Sequence, residues 1–130
     1  MDDLATLDAT AQADLVRGKE VTPQELVEAG IARIEALNPG LNAVITPMFE
    51  EALAAVTGVD PDAPFAGVPY LLKDLVVEYA GVRFTEGSRF LREYVSTYDS
   101  ELVVRLRNAG LVICGKTNTP EFGMFPNCEP

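Results

Sequence analysis

Apolar residues recur along this chain with two different periods, and the switches between them predict its elements. From Asp8 to Arg17 the residues Ala9, Ala13 and Val16 fall roughly on one face of a helix, which Gly18 is placed to stop. Thr22, Pro23 and Glu25 spell a capping box with proline at the first helical position. Leu26, Val27, Gly30, Ile31, Ile34 and Leu37 then keep helical spacing until Asn38-Pro39-Gly40, where the pattern predicts the helix to end. Asn42 to Ile45 reads as a short strand. Thr46-Pro47 opens a helix over about Met48 to Val56, and the breakers Gly58, Pro61 and Pro64 make Thr57 to Pro64 a turn-rich connection.

The pattern changes at Gly67. Val68 to Leu72 is uncharged and reads as a strand buried on both faces, with Pro69 tolerable near its start. It ends abruptly in Lys73 and Asp74. Val76 to Phe84 predicts a further strand or hairpin around Gly81, and Thr85 to Tyr98 an irregular polar excursion. Ser100 to Ala109 is a helix with Leu102, Val103 and Leu106 as its buried stripe, Asp99 or Ser100 as cap, and Gly110 as its left-handed stop. Leu111 to Cys114 is a second fully apolar strand. Strand, helix and strand in this order imply a βαβ unit with parallel strands and a right-handed crossover. Both strands then end at one edge, so Lys73 and the segment Lys116-Thr117-Asn118 are expected to be neighbours.

Composition narrows the chemistry. The 130 residues fit one domain, and 48% hydrophobic with 23% charged content is ordinary for a globular chain. Twenty acidic against ten basic residues, a net charge of −10, disfavour nucleic acid and anionic membranes as partners. No apolar run approaches the ~20 residues that span a bilayer. The start Met1-Asp2-Asp3-Leu4 is acidic where a signal peptide would be basic, so the expected location is cytoplasmic. Of the two cysteines, Cys114 reads as a small core residue, and Cys128 has no metal-like spacing to it. The absence of histidine excludes from this chain every Ser-His-Asp or Cys-His arrangement and every histidine metal site. Neither a metal nor a cofactor is expected.

Lys73 is the candidate catalytic residue. It stands at the carboxyl end of an apolar strand, the end at which open α/β sheets place their ligands. A lysine base must be neutral to accept a proton, which takes roughly 4 kcal/mol of desolvation and neighbour effects. A buried strand end can supply that and an exposed one cannot. The bland alternative is a surface Lys73-Asp74 pair. Asn118, just before Thr119 as cap and Pro120 at the first position of a short helix, is the candidate substrate-binding residue; a turn Asn bonded to its own backbone is the competing reading. Arg83, Arg89 and Arg92 could grip a carboxylate but read better as a solvated face. Gly110 to Thr117 matches the spacing G-x-x-x-x-G-K-T. A helix precedes its first glycine, strand residues fill its middle, and Pro120 follows too soon for a helix at the lysine, so the phosphate-loop reading is rejected.

The block GVPYLLKD, the helix ending RLRNAG and the block GKTNTPEFG, in that order and spacing, resemble the amino-terminal third of the amidase signature family. The resemblance covers roughly residues 8 to 125, and within the family it is similar to amidases of the cyclic 6-aminohexanoate dimer hydrolase type. It implies an α/β fold, with helices packed on a mixed, partly parallel sheet. It also implies hydrolysis of a small-molecule carboxamide by a Ser–cis-Ser–Lys apparatus, in which GVPYLLKD maps Lys73 onto the lysine. The Gly/Ser-rich block that carries the two serines in that family does not occur here, and Ser88, Ser96 and Ser100 do not match it. Residues 1–130 are therefore expected to be the amino-terminal portion of one amidase domain, a fragment inactive alone and prone to self-association. A homo-oligomer stays open. The alternatives are the amide-cleaving component of a tRNA-dependent amidotransferase and a non-catalytic α/β interaction module.

Overall fold

The helices begin at their capping residues and the strands where the apolar period shortens, in a computed structural model that describes residues 2–128. Met1 and Pro130, on which the leader and truncation expectations partly rest, lie outside the described residues. Helix α1 (Ala9–Arg17) starts at Asp8, whose carboxylate accepts from the Ala11 N–H at 2.8 Å. Helix α2 (Pro23–Leu41) has the complete capping box between Thr22 and Glu25. Strand β1 (Val44–Pro47), helix α3 (Phe49–Ala55), strand β2 (Pro69–Lys73), helix α4 (Glu101–Asn108) and strand β3 (Val112–Thr117) follow.

The strands form one sheet in the order β1-β3-β2. β2 and β3 run parallel, with Pro69 opposite Val112 and Lys73 opposite Thr117, and β1 runs antiparallel to β3. Helix α4 lies on the crossover, as the strand–helix–strand pattern predicts. β3 is central and buried from Val112 through Lys116. Successive residues of the sheet feed opposite faces. Leu71, Val112 and Cys114 pack with Val27, Ala52 and Val56, whereas Leu72 and Ile113 pack with Met48, Val82 and Val103. Gly110 has φ +91°, and a side chain there would press into Ala63 and Ala66, so the stop after α4 requires glycine.

Several local expectations need correction. β2 is not buried on both faces: it is an outer strand, and Tyr70 and Lys73 are exposed while Leu72 alone is fully buried. α2 does not stop at Pro39 but runs through it to Leu41, where Asn42 turns the chain with φ +48°. Asn38 makes this exit possible, because its side chain bonds both the N–H and the carbonyl of Val44 at 2.8 and 2.9 Å and ties the helix end to β1. Val76 to Phe84 forms no strand. Left-handed backbone at Val76 and Gly81 interrupts the extended run, and a single bridge joins Arg83 to Val95. Ser100 sits at the start of α4 without capping it: its hydroxyl accepts from the Glu78 N–H at 2.7 Å. The turn after β3 begins at Glu121, one residue later than the Thr119-Pro120 reading placed it, because Pro120 is still extended. No helix among the described residues is long and apolar enough to cross a membrane.

Candidate functional site

The parallel pair brings the ends of β2 and β3 together as the crossover argument requires. The Asp74 N–H donates to the Thr117 carbonyl at 3.1 Å, extending the ladder one step past Lys73. Alternation along β2 puts Leu72 and Asp74 on one face and Lys73 on the other. The Lys73 side chain is exposed, and among the described residues its amine has no hydrogen-bond or ion-pair partner. The buried setting expected for it is not built by this chain. Asn118, one residue beyond Thr117, is half-buried; its Oδ1 accepts from the Thr119 N–H at 3.0 Å and its Nδ2 meets the Asn42 carbonyl at 3.4 Å.

Sequence reasoning missed the chemistry behind Lys73. Asp74 is not the surface partner of Lys73. It is fully buried and pairs with Lys116, also fully buried, at 2.6 Å. The Asp74 carboxylate further accepts from the Thr85 hydroxyl at 2.5 Å and from the Thr85 N–H at 3.1 and 3.3 Å. The Lys116 ammonium donates to the Arg83 carbonyl at 3.1 Å and lies 4.6 Å from the centre of the Phe84 ring, so a cation–π contact completes its shell. The signal available was a lysine inside an otherwise apolar strand, opposite the end of a parallel neighbour that carries an acid. The Gly-Lys-Thr that mimics a phosphate loop is part of β3, which accounts for the false match.

The loop 83–88 is clamped between this pair and the turn after β3. The Ser88 hydroxyl donates to Glu121 at 2.7 Å, and the Phe122 N–H donates to the Glu86 carbonyl at 2.8 Å. Gly87, at φ +67°, lies so close to the Thr119 carbonyl that any side chain would collide with it. A second buried acid, Glu78, stands beyond the loop. The Tyr98 hydroxyl, with further hydrogen bonds from Tyr94 and Ser96 and the charge of Lys116, holds its carboxyl below the usual range against the opposing effect of burial. Ser88, Ser96 and Ser100 are thus all engaged away from Lys73. Arg83, Arg89 and Arg92 are exposed, as a solvated face would be. A concavity of about 760 Å³ lined by Glu51, Tyr79, Arg107 and Leu111 does not include Lys73. Among the described residues no cluster of acids and cysteines could hold a metal ion.

A family model described as Amidase matches residues 25–130. The 6-aminohexanoate-cyclic-dimer hydrolase of Paenarthrobacter ureafaciens is 49% identical over 125 residues, which cover 95% of this chain and 25% of that protein. The A subunit of the glutamyl-tRNA(Gln) amidotransferase of Alkalilimnicola ehrlichii is 43% identical over 123 residues, 90% of this chain and 25% of that protein. The solved structure of a 6-aminohexanoate cyclic dimer hydrolase complexed with substrate superposes with a TM-score of 0.91 at 48% identity, covering 95% of this chain and 26% of the other. The native peptide amidase of Stenotrophomonas maltophilia superposes at 0.81 and 33% identity, over 91% and 26% of the two chains. The chain thus spans about a quarter of the length of the relatives it matches.

Proposed function

The chain belongs to the amidase family, and from that premise we propose that it supplies the lysine base of a carboxamide hydrolase, with Lys73 as that base. The observation that carries the reading is the position of Lys73 at the shared carboxyl edge of a parallel pair, opposite Thr117. In the proposed reaction a serine attacks the amide carbonyl, and a second serine on a cis peptide bond passes its proton to the neutral Lys73 amine. The proton then returns to the leaving nitrogen, and water releases the acyl group. Ser88, Ser96 and Ser100 bond to Glu121, Glu78 and the Glu78 N–H and not toward Lys73, so in this reading both serines are supplied from outside residues 1–130. The same outside sequence closes over Lys73 and supplies the dry surroundings that a neutral lysine needs. Asn118 meets substrate from the turn after β3. Its Nδ2, held only at 3.4 Å by Asn42, is the group that turns to a substrate carbonyl.

The substrate is a small-molecule carboxamide, and the working location is the cytoplasm. A second reading, the amide-cleaving component of a tRNA-dependent amidotransferase, draws on the 43% identity to such a protein. The higher identity to the cyclic-dimer hydrolase favours the first. The test is a fusion in which this chain replaces the matching 125 residues of that hydrolase. The fusion is expected to hydrolyse the cyclic dimer of 6-aminohexanoate and the 130-residue chain alone to hydrolyse no carboxamide. An inactive but folded fusion, or an active isolated chain, contradicts the proposal. A parallel fusion into the amidotransferase A subunit that releases ammonia from glutamine, where the cyclic-dimer fusion is folded but inactive, supports the second reading.

A further inference from the structure

A lysine that must shed its proton is hindered by a carboxylate beside it, since an opposite charge favours the ammonium form. Asp74 follows Lys73 directly, with Cα atoms about 3.8 Å apart. In this fold that carboxylate is taken away from Lys73. It lies on the opposite face of the strand, fully buried, with Lys116 on Oδ1 at 2.6 Å and the Thr85 hydroxyl on Oδ2 at 2.5 Å. Lys116 belongs to another strand and is itself sealed from water, with the Arg83 carbonyl and the Phe84 ring as its other neighbours. Glu78, which feels the charge of Lys116 and is bonded by Ser96 at 3.2 Å, is a further charged group facing the pair. An apolar pair of similar volume often holds a core as well as two buried charges do. Stability alone therefore does not account for an acid and a base at these positions.

We propose that Lys116 is a positioning residue for Lys73: by holding the Asp74 carboxylate as a buried, neutralised pair, it keeps that charge from fixing Lys73 as an ammonium ion. The role rests on Lys73 being the base, but the charge effect is measurable without any turnover. The chain has three lysines, Lys19, Lys73 and Lys116, of which only the last is sealed. Acylation by an N-hydroxysuccinimidyl acetate at about pH 8, below the ordinary lysine range and quantified by peptide mass spectrometry, reports the neutral fraction of Lys73 against Lys19 as an internal reference.

Lys116→Met is expected to slow acylation of Lys73 about threefold or more, the effect of leaving an uncompensated carboxylate on the neighbouring residue. Asp74→Asn, which leaves the Lys116 cation, is expected to speed it by a similar factor. The double variant D74N/K116M carries no unpaired buried charge and is expected within about twofold of wild type. Opposite shifts in the two single variants support the proposal; unchanged rates, or shifts of the same sign as general loosening would give, overturn it. Where one single variant unfolds, the other decides: a shift of about threefold in its expected direction supports the proposal, and an unchanged rate overturns it. Loss of the proposed lysine chemistry would appear separately, as a Lys73→Ala fusion that keeps its activity while this labelling pattern stands.

Discussion

Removing Lys116 alone strands a carboxylate in the interior, and the structure sets the size of the penalty. In Lys116→Met the Asp74 carboxylate loses its 2.6 Å partner but keeps three contacts to Thr85, at 2.5, 3.1 and 3.3 Å. Breaking a buried pair from one side costs about 3–5 kcal/mol, and the surviving Thr85 bonds place this variant at about 3 kcal/mol. Asp74→Ala is worse. Lys116 keeps only the Arg83 carbonyl and the Phe84 ring face, and Thr85 loses its acceptor, so about 4–5 kcal/mol is expected. A domain of this size has roughly 5–15 kcal/mol in total, so either change removes a large share. Urea unfolding followed by circular dichroism reads the difference. With a slope of about 2 kcal/mol per molar, Lys116→Met should lower the midpoint by about 1.5 M. The double variant D74A/K116M should recover at least about 2 kcal/mol relative to the sum of the singles. Single variants within about 1 kcal/mol of wild type would refute the buried-pair reasoning.

Two other titratable groups give signed predictions. Burial pushes the Cys114 thiol up to about 11 from 9.0. Its stabilising contribution is complete below pH 9 and is lost as pH rises toward 11, about 2–3 kcal/mol at 1.36 kcal/mol per unit. Urea midpoints between about pH 8 and 11 should therefore fall more steeply in wild type than in Cys114→Ala, and a thiol reagent at neutral pH should label only the exposed Cys128. Glu78 is held below its ordinary value of 4.5 chiefly by the Tyr98 hydroxyl. The stability it adds is present above that value and is lost as pH falls through the lowered one. Glu78→Gln should be less stable than wild type at about pH 7, with the gap narrowing below about pH 4; a gap that does not change with pH contradicts this.

The parts of the fold that read well from the residues are those in which one local signal decides the outcome. The Thr22–Glu25 box, the Gly110 stop and the apolar run of β3 each did so, and the strand–helix–strand order placed Lys73 beside Thr117. The misreadings share another cause. Pro39 looked like a helix stop because the Asn38 side chain that secures the exit acts on Val44, six residues on. Val76 to Phe84 looked like a strand because apolar content does not reveal left-handed turns at Val76 and Gly81. Asp74 looked like a surface partner of Lys73 because its true partner lies far along the chain on another strand, and only the parallel register brings Leu72 opposite Lys116. The exposure of Lys73 was equally hidden, since a run of apolar residues does not tell an outer strand from a central one.

Turnover of the fusion carrying Lys73→Ala tests the central claim most directly. With Lys73 as the proton acceptor, the initial rate of cyclic-dimer hydrolysis at about pH 7.5 should drop by about 10²–10⁴ relative to the unmodified fusion, with the fold intact. A rate within about tenfold of the unmodified fusion would contradict the assignment of Lys73 as the base.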